Sequence, residues 1–282
     1  MSRMPAHGAH PSAPPATAAT GPSPLRRVAA FYLLTFAVSW SAWGLMAVVH
    51  RGGPPGPLVY VFSTLGGLGP LLVLALLERR TGEAVSLRRV LAGIRLRGPG
   101  RGWWWPAALA WPAIVLLAEG LNAALGRTDG FRPMQEGPAA LGWPVAFAIA
   151  AHFLASLITS PLFEEPGWRG FALRPLQDRY GRLLGSLVVG VAWWLWHQPM
   201  NLPFGLTPTL DSATTMVLLS FSIDALYRLS RDNVATAMLA HQSMGTVLTF
   251  LVLRPGDPIR LVLLFAWVAW LRALEARTSR VA

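Results

Sequence analysis

The amino-acid sequence predicts an all-α, polytopic membrane protein with about eight transmembrane helices, and three observations support this prediction. The 282-residue chain is 53% hydrophobic and only 13% charged, whereas soluble globular proteins carry about 25% charged residues. Apolar runs recur along the chain with lengths close to the roughly 20 residues that cross a bilayer as a helix. The 24 basic residues are all arginine, and they gather on alternate connections between those runs.

The eight predicted spans follow one another without an inserted soluble domain. They lie at Val28–His50, Leu58–Leu77, Trp103–Leu125, Trp143–Phe163, Leu183–Met200, Ala213–Leu229, Val234–Leu253 and Ile259–Leu274. The last run is short, so seven spans are the alternative. Residues 1–25 are rich in proline and alanine and cannot bury an apolar core, which predicts a disordered cytoplasmic tail. Residues 26–282 then form the transmembrane domain.

The arginines set the predicted orientation of these helices. With the N-terminus inside, 19 of the 24 arginines fall on inner segments, and cytoplasmic loops carry such an excess of basic residues. The distribution predicts a multi-pass protein of the inner (plasma) membrane with both termini in the cytoplasm. Topology therefore explains the formal charge of +11, so the lipid bilayer is a predicted partner and nucleic acid is not. The sequence leaves the oligomeric state open.

Ionisable side chains within the predicted spans are the candidates for function, because a charged group in lipid is costly. The chain has no cysteine, which excludes thiol catalysis and thiolate metal sites. Three candidates are interpreted as structural: Glu119 near an outer helix end, His152 on an apolar face, and Asp224 as the i,i+4 partner of Arg228. The candidates for chemistry are Glu164, Glu165, Arg169, His197 and His241.

A helical hairpin that turns near Tyr180 and Gly181 would bring the acidic pair level with a histidine. Glu165 lies 16 residues before Gly181, and His197 lies 16 residues after it. Antiparallel helices therefore hold both about 24 Å from the turn, at 1.5 Å per residue. His241 approaches from the seventh span. Together these elements are predicted to line a polar cavity within the membrane that opens towards the cytosol.

The chemistry of such a cavity follows from its charges. Two adjacent carboxylates near a low-dielectric core cannot both ionise cheaply, and a carboxylate poised in this way can deprotonate a water and later protonate a leaving amine. A facing histidine can share that water, and another donor can stabilise the oxyanion. Arg169, one turn past Glu165, can neutralise and orient that carboxylate. A buried ion-pair network that only fastens helices together is the alternative.

Three short motifs resemble those of the CPBP family, the CAAX-prenyl-protease and bacteriocin-processing intramembrane proteases, also called the Abi family. Residues Glu164–Gly170 fit its EExxxR motif. Residues Trp193–His197 resemble its FxxxH motif, with tryptophan in place of phenylalanine. Residues His241–Gly245 match the histidine of its HxxxN motif, but glycine replaces the asparagine. The resemblance covers about residues 143–250.

The resemblance implies an intramembrane endopeptidase of the glutamate type that needs no cofactor and acts on membrane-anchored peptides or proteins. By this resemblance Glu164 activates water with help from His197. Glu165 and Arg169 support it, and His241 helps to form the oxyanion hole.

Gly245 removes an expected oxyanion donor, a loss that typically costs about 100- to 1000-fold in rate. Gln242, Ser243 and Asn201 are the candidate replacements.

Three other functional classes stay open at the level of sequence. Gly245 favours a catalytically weak or inactive relative that acts as a membrane scaffold. A zinc-dependent protease would need a Glu/His site assembled across helices, because the HExxH motif is absent. A proton-coupled transporter would also bury glutamate and histidine, although no inverted repeat is evident.

Overall fold

The computed structural model describes residues 23–50, 55–81, 87–127, 132–133 and 144–278, and nearly all of them are helical. The α-helices in these ranges are α1 (Pro24–Val49), α2 (Pro57–Gly67), α3 (Gly69–Thr81), α4 (Leu87–Leu91), α5 (Trp104–Ala124), α6 (Val145–Leu157), α7 (Ser160–Glu165), α8 (Arg174–Tyr180), α9 (Arg182–Asn201), α10 (Leu210–Leu229), α11 (Val234–Phe250) and α12 (Pro258–Thr278). Two-residue strands, β1 (Arg132–Pro133) and β2 (Leu251–Val252), pair antiparallel. The all-α prediction is confirmed apart from this short pair. Residues 1–22 of the predicted tail lie outside the described residues.

Each predicted span corresponds to a helix or to successive helices, but eight membrane crossings are not confirmed. Helix α1, the helical stretch Arg101–Ala124 and the 36-residue stretch Val145–Tyr180 are long and apolar enough to cross a membrane. Helices α2 and α3 make a fourth candidate if they form one span bent by 46°. Helix α11 has only 17 residues, most of them buried. The structure thus supports a membrane protein with three or four candidate spans among the described residues.

Close packing joins α1 to the broken α2–α3 pair. The hydroxyl of Ser39 in α1 donates a hydrogen bond to the carbonyl oxygen of Gly66 at 2.7 Å. A Cβ atom added at Gly66 would collide with the indole of Trp43, and one added at Gly69 would collide with Ser39. Glycine is therefore required at both positions for the helices to approach this closely.

The predicted hairpin is present and carries the candidate residues. Its first arm comprises α6, α7, the π-helical segment Pro166–Leu173 and α8. Pro166 has no N–H to donate to the preceding turn, and the wider π-helical turn begins there, a deviation that occurs frequently at functional sites. Gly181 has a φ of 82°, in the left-handed region that glycine tolerates, and α9 runs back along the first arm. Helices α10 and α11 complete the wall around this hairpin.

Candidate active site

The five residues predicted to carry chemistry lie on four neighbouring elements of the hairpin and its wall. Glu164 and Glu165 end α7, Arg169 follows in the π-helical segment, His197 lies on α9 and His241 lies on α11. The side chains of Glu164, Glu165, Arg169 and His241 are buried, whereas His197 is half-buried. The fold therefore gathers groups that lie as much as 77 positions apart in sequence, between Glu164 and His241.

Glu165 is held by charged partners. Its Oε1 atom accepts a hydrogen bond from Arg169 Nη1 at 3.0 Å, and it lies 2.7 Å from His241 Nδ1. Arg169 is itself fixed by two residues of α10, because its Nε donates to Asp224 Oδ1 at 2.9 Å and its Nη2 donates to Ser220 Oγ at 2.9 Å. All of the guanidinium nitrogens thus have partners, which locks the carboxylate of Glu165 in place.

Glu164 is held by neutral donors. The Ser160 hydroxyl donates to Glu164 Oε1 at 2.6 Å, and the Trp193 indole N–H donates to Glu164 Oε2 at 2.7 Å. Among the described residues, no cationic nitrogen lies within 4.0 Å of this carboxylate. Two adjacent glutamates of one helix therefore have opposite surroundings: Glu165 has an ion-pair partner, and Glu164 has hydrogen-bond donors that carry no charge.

Trp193 lies against three charged or titratable side chains around Glu164. Its ring lies 5.4 Å from the ring of His197 and 5.1 Å from that of His241, measured between centroids. The guanidinium carbon of Arg169 lies 4.9 Å from the indole centroid, a distance that allows a cation–π interaction. The first residue of the second motif therefore does more than fill space, because it also orients Glu164.

The backbone fixes the ring orientation of His197. Its Nδ1 atom lies 2.8 Å from the carbonyl oxygen of Trp193, four residues earlier on α9. Since a carbonyl only accepts, Nδ1 carries the proton, and Nε2 of the neutral ring is left with a lone pair. A half-buried histidine in this tautomer is suited to accept a proton from a water molecule.

Asp224 pairs differently from the sequence-based prediction. Arg228 donates to Asp232 Oδ1 at 2.9 Å, so the predicted Asp224–Arg228 pair is wrong. The side chain of Asp224 points to the π-helical segment together with Ser220, which lies one helical turn earlier on the same face, and both bind Arg169. The i,i+4 spacing of two polar residues on α10 was the available signal.

The sequence did not identify Ser160 as a site residue, because no motif includes it and a serine before a proline is typical of a helix start. It is the first residue of α7, and its hydroxyl contacts both Glu164 and His241. The other two sequence candidates lie elsewhere: buried Glu119 is 3.9 Å from Arg254, and half-buried His152 packs against Phe250.

Gly245 leaves a space that the side chain of Gln242 borders. A Cβ atom built on Gly245 would lie 3.8 Å from Gln242 Oε1 and 3.9 Å from Gln242 Nε2. The Gln242 amide donates to Thr246 Oγ1 at 3.1 Å. The Ser243 hydroxyl points elsewhere and donates to the carbonyl oxygen of Ala108 at 2.8 Å. Among the candidate replacements, Gln242 thus brings its carboxamide to the position next to residue 245.

No ligand set for a metal is found in the part of the chain that the structure describes. There, no group of three or more histidine, aspartate or glutamate side chains is arranged to hold a metal ion.

Comparisons with known proteins find a similarity in this region of the chain. Residues 145–247 match the family described as type II CAAX prenyl endopeptidase Rce1-like. A curated protein of Methanococcus maripaludis, named CAAX prenyl protease 2, is 33% identical to this chain over 95 residues. That match covers 33% of this chain and 32% of the relative. Residues 145–247, which the family model matches, include all three motifs and the five candidate residues. Over residues 145–247, the chain is thus similar to the Rce1-like type II CAAX prenyl endopeptidases, and the match spans about a third of the length of the Methanococcus relative.

Proposed function

We propose that this protein is an intramembrane endopeptidase that hydrolyses peptide bonds of membrane-anchored peptides or proteins, with Glu164 as the base that activates water. The unequal surroundings of the two adjacent glutamates carry the proposal. Glu165 is neutralised by Arg169 and contacts His241, so it serves as a support. Glu164 lacks such a partner within the described residues and is the carboxylate free to exchange a proton.

The reaction requires a proton acceptor, a bound water and a donor for the oxyanion. Glu164 takes one proton from the water as the water oxygen attacks the carbonyl carbon of the peptide bond. Glu164 later gives a proton to the leaving amine. His197 shares that water through its unprotonated Nε2, since its Nδ1 is engaged with the Trp193 carbonyl. Positioned acid–base groups of this kind contribute about 10²- to 10⁴-fold in rate.

In this proposal, His241 and Gln242 are the groups that stabilise the negative charge of the oxyanion. A doubly protonated His241 is balanced by Glu165 at 2.7 Å and stabilises the developing oxyanion. Gln242 offers an amide beside Gly245, at the place where the family motif has asparagine. A preorganised donor aimed at the oxyanion is worth about 100- to 1000-fold in rate, so this replacement supports an active enzyme.

The substrate class follows from the setting of the site. The acidic pair follows the apolar helix α6 within the candidate span Val145–Tyr180. A substrate must therefore carry its scissile bond within or next to the bilayer. The name of the Methanococcus relative makes prenylated C-terminal tails the first class to test. We place the protein in the plasma membrane with several crossings, both termini in the cytoplasm and the site open to the cytosol.

The test is cleavage by the purified full-length protein in nanodiscs. Farnesylated C-terminal peptides and other membrane-anchored peptides are offered in the presence of a chelator, and products are read by mass spectrometry. The proposal expects cleavage by the wild type and at least a 100-fold loss in Glu164→Ala and in His197→Ala. Glu119→Ala, whose carboxylate lies by Arg254, is the control and should keep its activity. Cleavage that stops with chelator and returns with zinc would contradict the metal-free mechanism.

A further inference from the structure

Ser160 joins the two glutamates of the site through one row of hydrogen-bonding atoms. Its Oγ atom lies 2.6 Å from Glu164 Oε1 and 3.3 Å from His241 Nε2. The other ring nitrogen of His241, Nδ1, lies 2.7 Å from Glu165 Oε1. Glu164 and Glu165 are neighbours in sequence, yet their carboxylates are connected through a serine one turn earlier and a histidine 76 positions later than Glu165.

We propose that Ser160 is a positioning residue that passes protons between Glu164 and His241, so that the ionisation of one depends on that of the other. The inference rests on the proposed role of Glu164 as the base. It assigns a role to a residue that lies outside all three motifs.

The row of atoms has two proton arrangements with the same total charge. In the first, Glu164 is a carboxylate and His241 is an imidazolium, so that His241 Nε2–H donates to Ser160 Oγ and the Ser160 O–H donates to Glu164. In the second, Glu164 is a neutral acid that donates to Ser160 Oγ, and the Ser160 O–H donates to the unprotonated Nε2 of His241. Two proton shifts convert one into the other, and Nδ1–H donates to Glu165 in both.

A hydroxyl is the group that can serve both arrangements, because it donates one hydrogen bond and accepts others at once. Ser160 is exposed, whereas the exposed fractions of Glu164 and His241 are 2% and 4%. The hydroxyl thus lies where the buried row reaches accessible space. Alanine at this position would break the row, and threonine would preserve it.

The transfer has a use in each half of the proposed reaction. After Glu164 takes a proton from water, the two shifts leave the carboxylate restored and His241 positively charged. That charge is balanced by Glu165, and it arises when the oxyanion forms. The reverse shifts return the proton to Glu164, which gives it to the leaving amine.

The contact itself is tested without any activity measurement. ¹⁵N-histidine-labelled full-length protein in nanodiscs is compared as wild type and Ser160→Ala, and His241→Gln identifies the signals of that ring. We expect Ser160→Ala to move the Nε2 resonance of His241. Ser156→Ala is the matched control: its hydroxyl lies 3.5 Å from His152 Nδ1, so the signals of His241 should stay in place. Unchanged His241 signals in Ser160→Ala would overturn the inference.

Kinetics then test the proton transfer. We expect Ser160→Ala to lower kcat about 10- to 100-fold with KM changed less than about 3-fold, and Ser160→Thr to recover most of kcat. In the His241→Gln background, Ser160→Ala should have little further effect, because the row is already broken. Wild-type kcat in Ser160→Ala beside an inactive Glu164→Gln would refute the transfer and leave the proposed function standing. If the wild-type protein cleaves no peptide, the proposed function fails, and the ¹⁵N spectra still decide whether the linkage exists.

Discussion

The substitution Asp224→Asn isolates the buried anchor of Arg169. Asp224 is fully buried, and its Oδ1 accepts a hydrogen bond from Arg169 Nε at 2.9 Å. The second oxygen lies 4.0 Å from Arg272 Nη2. Asparagine keeps the shape of the side chain but removes its charge, so the buried Arg169 and the partly buried Arg272 lose a counter-ion.

The magnitude follows from burial. Removing one partner of a buried ion pair costs about 3–5 kcal/mol, because the other charge is left without compensation. For a chain of this size, a change of 1 kcal/mol shifts Tm by about 2–4 °C, so the expected decrease in Tm is roughly 6–20 °C. Because Arg169 also holds Glu165, a displaced guanidinium should lower kcat about 10- to 100-fold, as small misplacements of catalytic groups do.

Asp178→Asn is the matched control for this substitution. Asp178 forms an i,i+4 pair with Arg174 at 3.2 Å, but the two side chains are 64% and 57% exposed. Such surface pairs contribute about 0–1 kcal/mol. The assay is thermal unfolding of both variants in the same detergent, followed by peptide cleavage well below the lower Tm. Equal Tm shifts in the two variants would refute the reasoning that burial sets the strength of the Arg169–Asp224 pair.

Further predictions concern the hydrogen bonds around Glu164 and the oxyanion donor. Trp193→Phe removes a hydrogen-bond donor to a charged acceptor. The free energy of unfolding should therefore fall by about 1.5–3 kcal/mol more in Trp193→Phe than in Trp111→Phe. Trp111 is also buried, but its indole nitrogen has no hydrogen-bond partner among the described residues, and equal losses in chemical denaturation would contradict the prediction. Gln242→Leu should lower kcat about 100-fold if its amide binds the oxyanion. Gly245→Asn should restore much of that loss, because its Cβ meets no atom closer than 3.8 Å; a kcat in Gln242→Leu equal to that of the wild type would exclude this donor.

The hairpin that carries Glu165 and His197 was predictable because a polar Tyr180–Gly181 turn separates two apolar helical runs. Glu165 and His197 are equidistant from Gly181, and the structure has both on the two arms of that hairpin. The eight helical segments were predictable because each is an apolar run with polar or helix-breaking residues at its ends. Which of them cross the bilayer depends on buried polar groups as well as on length, and α11 is both short and internal.

The one-turn spacing of Glu165 and Arg169 predicted their ion pair, but the partner of Asp224 was not predictable from spacing along one helix. Asp224 and Arg228 have ideal i,i+4 spacing, yet they do not pair with each other. Asp224 accepts a hydrogen bond from Arg169, and Arg228 donates to Asp232. The role of Trp193 required the direction of its indole N–H towards Glu164. A one-dimensional pattern contains neither the facing helix nor the rotamer, and both decide which donor meets which acceptor.

The central claim is that Glu164 carries the chemistry and Glu165 supports the fold. The most direct measurement compares Glu164→Gln with Glu165→Gln for both single-turnover cleavage of a membrane-anchored peptide and Tm in the same nanodiscs. We expect Glu164→Gln to lose about 10²- to 10⁴-fold in rate with a smaller decrease in Tm than Glu165→Gln, because it breaks hydrogen bonds with neutral donors and no ion pair. We expect Glu165→Gln to lower Tm by roughly 6–20 °C, because Arg169 loses a buried counter-ion. A folded Glu164→Gln variant that cleaves at the wild-type rate would contradict the account.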